Sequence, residues 1–204
     1  MANVDLKKVY KTHYSARAEE PVVVDIPARR FLMIDGAGDP NTAAAYVDAV
    51  QALYPLAYGV RAAIRAATGD AYTVMPLEGL WWTNDMREFD PADKSNWLWT
   101  IMICLPEVVT ETMVEEVLPA ITAEKKLKAG HLARVETFTE GRAAQILHLG
   151  RYAEEGPTIA ALHRFISNGN HRLTGKHHEI YLSDPRRTDP ARLRTIIRQP
   201  FTGG

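Results

Sequence analysis

The feature of this sequence that most constrains its fold is an order of strand, helix, strand and strand that occurs twice. In the first half, the strand RFLMIDG precedes a helix and the strands PLEGLWW and WLWTIMI. In the second half, the strand AAQILHLG precedes a helix and the strands HHEIYLS and RTIIR. Two β-α-β-β units that pair into an antiparallel sheet with helices on one side make an α+β fold. The open face of the sheet, or the seam between the halves, would form a central ligand groove.

Local signals set the expected boundaries. The pseudo-repeats cover about residues 21–105 and 130–200 of a single domain within the 204 residues of the chain. An apolar stripe at alternating steps of four and three predicts a long helix over residues 42–68. Asn41 is its expected N-cap and Gly69 its expected end, after a turn over residues 35–40. Further helices are expected over residues 110–126, with Thr110 as the cap, and over 157–167, and a last strand is expected over 194–198.

Charge and cysteine usage narrow the class of protein. The 24 lysine and arginine residues and the 25 aspartate and glutamate residues give a net charge of -1, which disfavours broad electrostatic binding to nucleic acid. The one cysteine, Cys104, fits a reducing cytoplasm, and no apolar run is long enough to span a membrane. We therefore expect a cytoplasmic protein, a monomer or a homodimer, that makes no direct contact with nucleic acid or membrane.

All four tryptophans fall on one expected hairpin, which predicts an aromatic wall. Along PLEGLWW, side-chain alternation places Glu78 and Trp82 on one face and Trp81 on the other, and the partner strand adds two more rings, Trp97 and Trp99. Any one of these rings is more often part of a core. Four together with a carboxylate favour a binding site for flat apolar or cationic ligands, at about 0.5–2 kcal/mol per cation–π contact.

The strand HHEIYLSDP presents a second set of candidate residues. Alternation places His177, Glu179 and Tyr181 on one face, and His178 on the other face, toward the core. Partial burial would disfavour the charged form of Glu179 and let this carboxyl act as an acid or base near neutral pH, with Tyr181 as a hydrogen-bond donor. A solvated sheet face with a Glu–Arg pair explains the same pattern equally well.

Other motifs are interpreted as structural. Adjacent histidines on a strand point to opposite faces and cannot hold one ion, so we expect no metal, and no motif predicts a cofactor. The run DGAG lacks the third glycine of a dinucleotide fingerprint and is interpreted as a tight turn. Neither Cys104 nor Ser183 lies in a nucleophile-elbow motif such as G-x-S-x-G, so no covalent mechanism is proposed.

The chain resembles the standalone GyrI-like small-molecule-binding proteins. The segments that carry the resemblance are, in order, FLMIDGAGDPN, LYPLAYGVR, PLEGLWW, WLWTIMICLPE, QILHLGRYAEEGPTI and HHEIYLSDPRRT. The resemblance extends from about residue 8 to residue 201 and implies a duplicated β-α-β-β fold with a central groove. It also implies binding of varied, often cationic, aromatic molecules. Arg151 stands where the family usually has a proline, next to the expected ligand-binding residue Tyr152.

The same resemblance suggests a reaction. Some standalone members of this family hydrolyse the strained cyclopropane of DNA-alkylating natural products with Trp, Tyr and Glu side chains of the groove. Those roles would fall on Trp81 or Trp82, on Tyr181 and on Glu179 as catalytic residues, with Glu78, Trp97, Trp99, Tyr152 and His177 contacting the ligand. Two alternatives are a drug sensor or sequestering domain that does no chemistry, and an interaction module that modulates DNA gyrase.

Overall fold

The computed structural model describes residues 3–90 and 93–203 of the chain. The helices, in chain order, are α1 (Leu6–Val9), α2 (Ala44–Thr68), α3 (Glu111–Lys125) and α4 (Gly156–Asn168). The strands are β1 (Asn3–Val4), β2 (Val22–Ile26), β3 (Arg29–Ala37), β4 (Ala71–Tyr72), β5 (Leu77–Trp82), β6 (Leu98–Cys104), β7 (Arg134–Phe138), β8 (Gly141–Leu149), β9 (Arg172–Leu173), β10 (His177–Tyr181) and β11 (Arg194–Thr202). Internal contacts divide these elements into two compact units.

The first unit comprises residues 3–9, 29–75 and 81–138. Strand β3 lies between β6 and β7 and pairs antiparallel with both, so that Leu32 is opposite Ile103 on one side and Val135 on the other. Helix α2 packs on β3 and β6, and α3 packs against α2. Fully buried apolar side chains, including Leu53 of α2 and Ile101 of β6, form the core of this unit. Burial of this apolar area drives the packing, at roughly 25 cal/mol per Å².

The second unit comprises residues 10–28, 76–80 and 139–203. Its strands lie in the order β2-β8-β11-β10-β5, and β8 and β10 both pair antiparallel with β11. Helix α4 packs on β8 and β11. The apolar cluster beneath α4 consists of Ala144, Ile146, Ile159, Leu162, Ile166, Ile197 and Phe201. This cluster marks the α4 side of the sheet in this unit.

Two helix ends follow the predicted local chemistry. Gly69 ends α2 in the left-handed conformation (φ 79°), and its amide donates to the carbonyl of Arg65. Glycine adopts this conformation at no steric cost, as the sequence predicted. Thr110 caps α3, where its hydroxyl oxygen accepts a hydrogen bond from the amide of Met113 at 3.2 Å.

Three predicted boundaries are wrong. Helix α2 begins at Ala44 and its N-cap position is Ala43, while the amide of Asn41 donates to a carboxylate oxygen of Asp39. Strand β3 continues through the predicted turn because Ala37 still pairs with β6. Strand β11 continues past residue 198 because its pairing with β8 and β9 extends to Thr202. Cross-strand partners, which a local pattern does not contain, set these two strand ends.

Candidate functional site

Strand β10 directs its side chains to two faces, as the alternation predicted. On one face, the Tyr181 hydroxyl donates to Oε2 of Glu179 at 2.8 Å, and Nε2 of His177 lies 3.1 Å from Oε1 of the same carboxylate. On the other face, His178 contacts Glu78 and Glu140. The two adjacent histidines therefore serve different clusters.

The Glu179 carboxylate lies on the α4 side of the second unit. Glu179 is opposite Ile197 of β11, and paired residues of an antiparallel ladder share a face. Ile197 belongs to the apolar cluster beneath α4. The carboxylate is thus close to hydrocarbon and only 8% exposed. A carboxylate in such surroundings needs polar partners, and His177 and Tyr181 supply two.

Tyr152 completes this cluster, which we name the β10 acidic site: His177, Glu179, Tyr181 and Tyr152. Tyr152 begins the 3₁₀ turn Tyr152–Glu154, directly before α4. Its ring meets the Tyr181 ring edge to face, with the centroids 5.5 Å apart. Both tyrosines are half-buried. The structure therefore brings together four of the residues that the sequence predicted for the site.

The tryptophans form a separate aromatic cluster in the first unit. Tyr46 of α2 contacts Trp99 edge to face at 5.3 Å and Trp81 at 5.8 Å, and Trp81 in turn contacts Trp97 at 5.5 Å. These three tryptophans are 1–3% exposed, whereas Trp82 is half-buried. Trp81 therefore packs against a helix, and Trp82 retains exposed surface.

The loop after β5 contributes to the same cluster. The ring of Phe89 stacks on Trp97 with the centroids 4.6 Å apart, and the ammonium of Lys94 lies 4.9 Å from the Trp97 ring centroid. The second contact is a cation–π interaction within the protein. The Trp97 indole N–H donates to the carbonyl of Asp90 at 3.2 Å.

A cavity of about 200 Å³ also lies in the first unit. Trp99 lines it together with Asp35, Asp48 and Lys128, and Nζ of Lys128 lies 3.3 Å from a carboxylate oxygen of Asp48. Of the residues that the sequence predicted for the site, Trp99 lines this cavity. The β10 acidic site is formed by residues of the second unit.

Glu78, predicted to accompany the tryptophans, lies instead in a buried polar network of the second unit. It is 1% exposed; its Oε1 accepts from the Tyr14 hydroxyl at 2.7 Å, and its Oε2 lies 3.0 Å from Nε2 of His178. Nδ1 of His178 lies 2.9 Å from Glu140, and the guanidinium of Arg198 donates to the other oxygen of Glu140 at 2.9 Å. A ligand-binding role for Glu78 remains a prediction.

Burial and neighbouring charges shift the pKa values of His178 and Glu140 in opposite directions. Desolvation disfavours the charged form of His178, but Glu140 and Glu78 outweigh it and raise the pKa of the imidazole to about 9. Desolvation likewise opposes ionisation of Glu140, but His178 and Arg198 hold the pKa of its carboxyl down to about 2. Both groups are therefore charged at neutral pH.

This network was not predicted from the sequence. His178 was expected in the core with no named partner, and no functional role was expected for Tyr14, Glu140 or Arg198. One available signal was the histidine itself, because a core-facing imidazole on a strand requires hydrogen-bonding groups nearby. The partners come from residues 14, 78, 140 and 198, which only the tertiary structure brings together.

Within residues 3–90 and 93–203, the structure contains no group of three His, Cys, Asp or Glu side chains that could hold a metal ion. In the same part of the chain, no helix has both the length and the apolar character needed to span a bilayer.

Comparison with known proteins identifies the fold. A family model described as "GyrI-like small molecule binding domain" matches residues 19–201. A solved structure of an uncharacterized conserved protein from Listeria innocua is 36% identical, with a TM-score of 0.90 over 98% of this chain and 100% of that chain. A structure described as a hydrolase from Listeria innocua is 34% identical, with a TM-score of 0.84 over the same shares of the two chains.

A more distant structure shows the fold alone. The C-terminal domain of EcmrR is 12% identical, with a TM-score of 0.60 over 91% of this chain and 98% of that one. A search of curated proteins found no match.

Proposed function

We propose that this chain, which belongs to the GyrI-like small molecule binding domain family, binds a hydrophobic aromatic molecule at the β10 acidic site. One observation carries this proposal: the nearly buried Glu179 carboxylate is held by Tyr181 and His177 beside the apolar cluster under α4. Apolar surroundings favour an aromatic ligand, and the carboxylate favours one that carries a positive charge.

The Glu179 carboxylate is held in place by His177 and Tyr181. In the proposed complex, a ligand ammonium pairs with this negative charge. The Tyr152 ring, which meets the Tyr181 ring edge to face, adds aromatic surface beside Glu179. The predicted ligand contacts of Trp81, Trp82, Trp97 and Trp99 are retained as predictions.

We propose as a second candidate that the same site hydrolyses strained cyclopropanes in aromatic natural products. The specific support is the Tyr181–Glu179 hydrogen bond together with the 34% identical Listeria innocua structure described as a hydrolase. In this reaction the water oxygen attacks a carbon of the cyclopropane ring while Glu179 takes a proton from that water. The carbon–carbon bond breaks, and its electrons pass to the conjugated carbonyl, which gains a proton and becomes a hydroxyl. Hydrogen bonding to that carbonyl stabilises the developing negative charge.

Dye binding tests the first candidate. Titration of purified protein with ethidium, a cationic aromatic dye, should give saturable binding, and Glu179→Gln should weaken it about tenfold because a charge-assisted contact is lost. Glu20→Gln makes the same chemical change at an exposed glutamate of the same unit and should bind as wild type does. Equal affinity of the Glu179→Gln and wild-type proteins would refute the proposed site.

Mass spectrometry tests the second candidate. Incubation with a cyclopropyl-indole alkylator should give the ring-opened alcohol, with one oxygen from H₂¹⁸O when labelled water is used. Glu179→Gln should slow the reaction by about 10²–10⁴-fold, as expected on loss of a general base. If the dye binds through Glu179 while the alkylator is recovered unchanged, the protein is a binder that does no chemistry.

A further inference from the structure

The buried polar network forms a continuous row on the face of β10 opposite Glu179. Gln145 of β8 is opposite Arg198 of β11, and Arg198 is opposite His178 of β10. Glu78 of β5 continues this row, since its carboxylate contacts His178. Glu140, directly before β8, contacts both His178 and Arg198. We name these five side chains the buried polar row.

The row also holds the segment before β2. Gln145 donates to the carbonyls of Thr12 and Ser15 at 2.8 and 3.0 Å. Arg198 donates to the carbonyl of His13, and Tyr14 donates to Glu78. Four consecutive residues of the segment are therefore tied to the row through backbone or side-chain oxygens. The bonds from Arg198 to the His13 carbonyl and from Tyr14 to Glu78 each involve a charged group, and such bonds are stronger than neutral ones.

The two carboxylate partners of His178 determine the protonation state of its ring. Both ring nitrogens lie within 3.0 Å of carboxylate oxygens, and both can donate only when the ring is an imidazolium. In that state, two carboxylates face one imidazolium and one guanidinium, and the row is neutral. A neutral ring would leave a buried excess negative charge.

We infer that His178 is a positioning residue: as an imidazolium it ties β10 to β5 and to the residue before β8, and so fixes where the adjacent Glu179 presents its carboxylate. The inference rests on the proposed function only for the role of Glu179. Successive residues of a strand share one backbone, so a strand clamped by His178 cannot rotate or shift without moving Glu179. Sites gain precision when neighbouring hydrogen bonds hold the reactive groups.

Nuclear magnetic resonance of the histidine rings tests the charge state. In wild-type protein with ¹⁵N-labelled histidine, one ring should show protons on both nitrogens at pH 7.5 and lose one only near pH 9, in line with the raised pKa of His178. The spectrum of His178→Gln assigns that signal by its absence. A neutral His178 ring at pH 7.5 would overturn the inference.

Ethidium affinity and the Glu179 carboxyl signal test the positioning role. His178→Gln should weaken ethidium binding about tenfold or more, and should shift the ¹³C titration of the Glu179 carboxyl, although residue 178 lies on the opposite face. The double variant Glu78→Gln/His178→Gln keeps the opposite charges of Glu140 and Arg198 paired. It should therefore recover part of the ethidium affinity and part of the wild-type Glu179 carboxyl titration. Glu20→Gln should change neither.

One further variant and two defined outcomes keep the test decisive. If His178→Gln does not fold, Tyr14→Phe removes only the hydroxyl bond to Glu78 and should produce a smaller shift of the Glu179 signal. Variants that fold, bind ethidium as wild type does and leave the Glu179 titration unchanged would refute the positioning role. If instead Glu179→Gln does not change the affinity for ethidium, the proposed function fails. The Glu179 carboxyl signal of the His178 variants still reports whether His178 positions Glu179.

Discussion

Nε2 of His178 lies 3.0 Å from Oε2 of Glu78, although 100 residues separate the two along the chain. Neither side chain is more than 2% exposed. Glu140 contacts the other nitrogen of the ring, and Arg198 contacts Glu140. This arrangement explains why a carboxylate occurs three residues before the tryptophan pair: its partner is a buried imidazolium.

The first prediction concerns the pH dependence of stability. The pKa of His178 rises from 6.5 to about 9 on folding, so its contribution is complete below pH 6.5 and is lost as the pH rises through about 9. The pKa of Glu140 falls from 4.5 to about 2, so its contribution is complete above pH 4.5 and is lost as the pH falls toward 2. Together, the two contributions are complete between pH 4.5 and 6.5.

Denaturant unfolding at a series of pH values measures this dependence. The free energy of unfolding of the wild type should fall between pH 6.5 and 9, and this fall should be absent in Glu78→Gln/His178→Gln. An equally steep fall in the double variant would assign the pH dependence to other groups.

The second prediction concerns single substitutions in the buried polar row. His178→Gln leaves the carboxylates of Glu78 and Glu140 facing a neutral side chain, and should lower the free energy of unfolding by about 3–5 kcal/mol. Because the two residues are in contact, Glu78→Gln/His178→Gln should cost less than the sum of its single substitutions. A double-mutant cycle by urea unfolding measures this coupling. Additive effects would show that the two side chains act independently.

The third prediction concerns the contact between Gly36 of β3 and Trp99 of β6. These residues are opposite each other, and a Cβ at position 36 would lie 2.1 Å from the Trp99 ring. Gly36→Ala should therefore displace the indole, lower the free energy of unfolding by about 1–3 kcal/mol and shift the tryptophan emission.

Gly156→Ala is the matched control for this substitution. Apart from its chain neighbours and the backbone of its own helix, no atom lies within 4 Å of its added Cβ, so the tryptophan emission should not change. An unchanged emission spectrum in Gly36→Ala would contradict the tight packing of Trp99.

The fourth prediction concerns the N-cap of α3. Thr110→Ala removes the hydrogen bond to the amide of Met113 and should cost about 1 kcal/mol. Thr112→Ala makes the same chemical change at an exposed position inside the helix and should cost nothing measurable, because alanine has the higher helix propensity. Thermal unfolding monitored by circular dichroism compares the two. Equal costs would show that the cap contributes nothing.

Periodicity and local chemistry were sufficient for most elements of the fold. The stripe that predicted α2 consists of Tyr46, Val50, Leu53, Ala57, Val60 and Ile64; the last four are buried and the first two are half-buried. Alternation along HHEIY placed Glu179 with Tyr181 and His177, and the hydrogen bonds confirm that face. The extents of β3 and β11 were not predictable, because each depends on a neighbouring strand.

The sequence by itself determined the α+β class, the order of the elements and the grouping of Glu179 with Tyr181, since these depend on side-chain spacing within one element. Only the tertiary structure decided what Glu78 and His178 do. A buried charge is stable only beside compensating groups, and here those groups come from residues 14, 140 and 198. No local pattern specifies which distant side chains will meet, because strand pairing joins residues that are far apart in the chain.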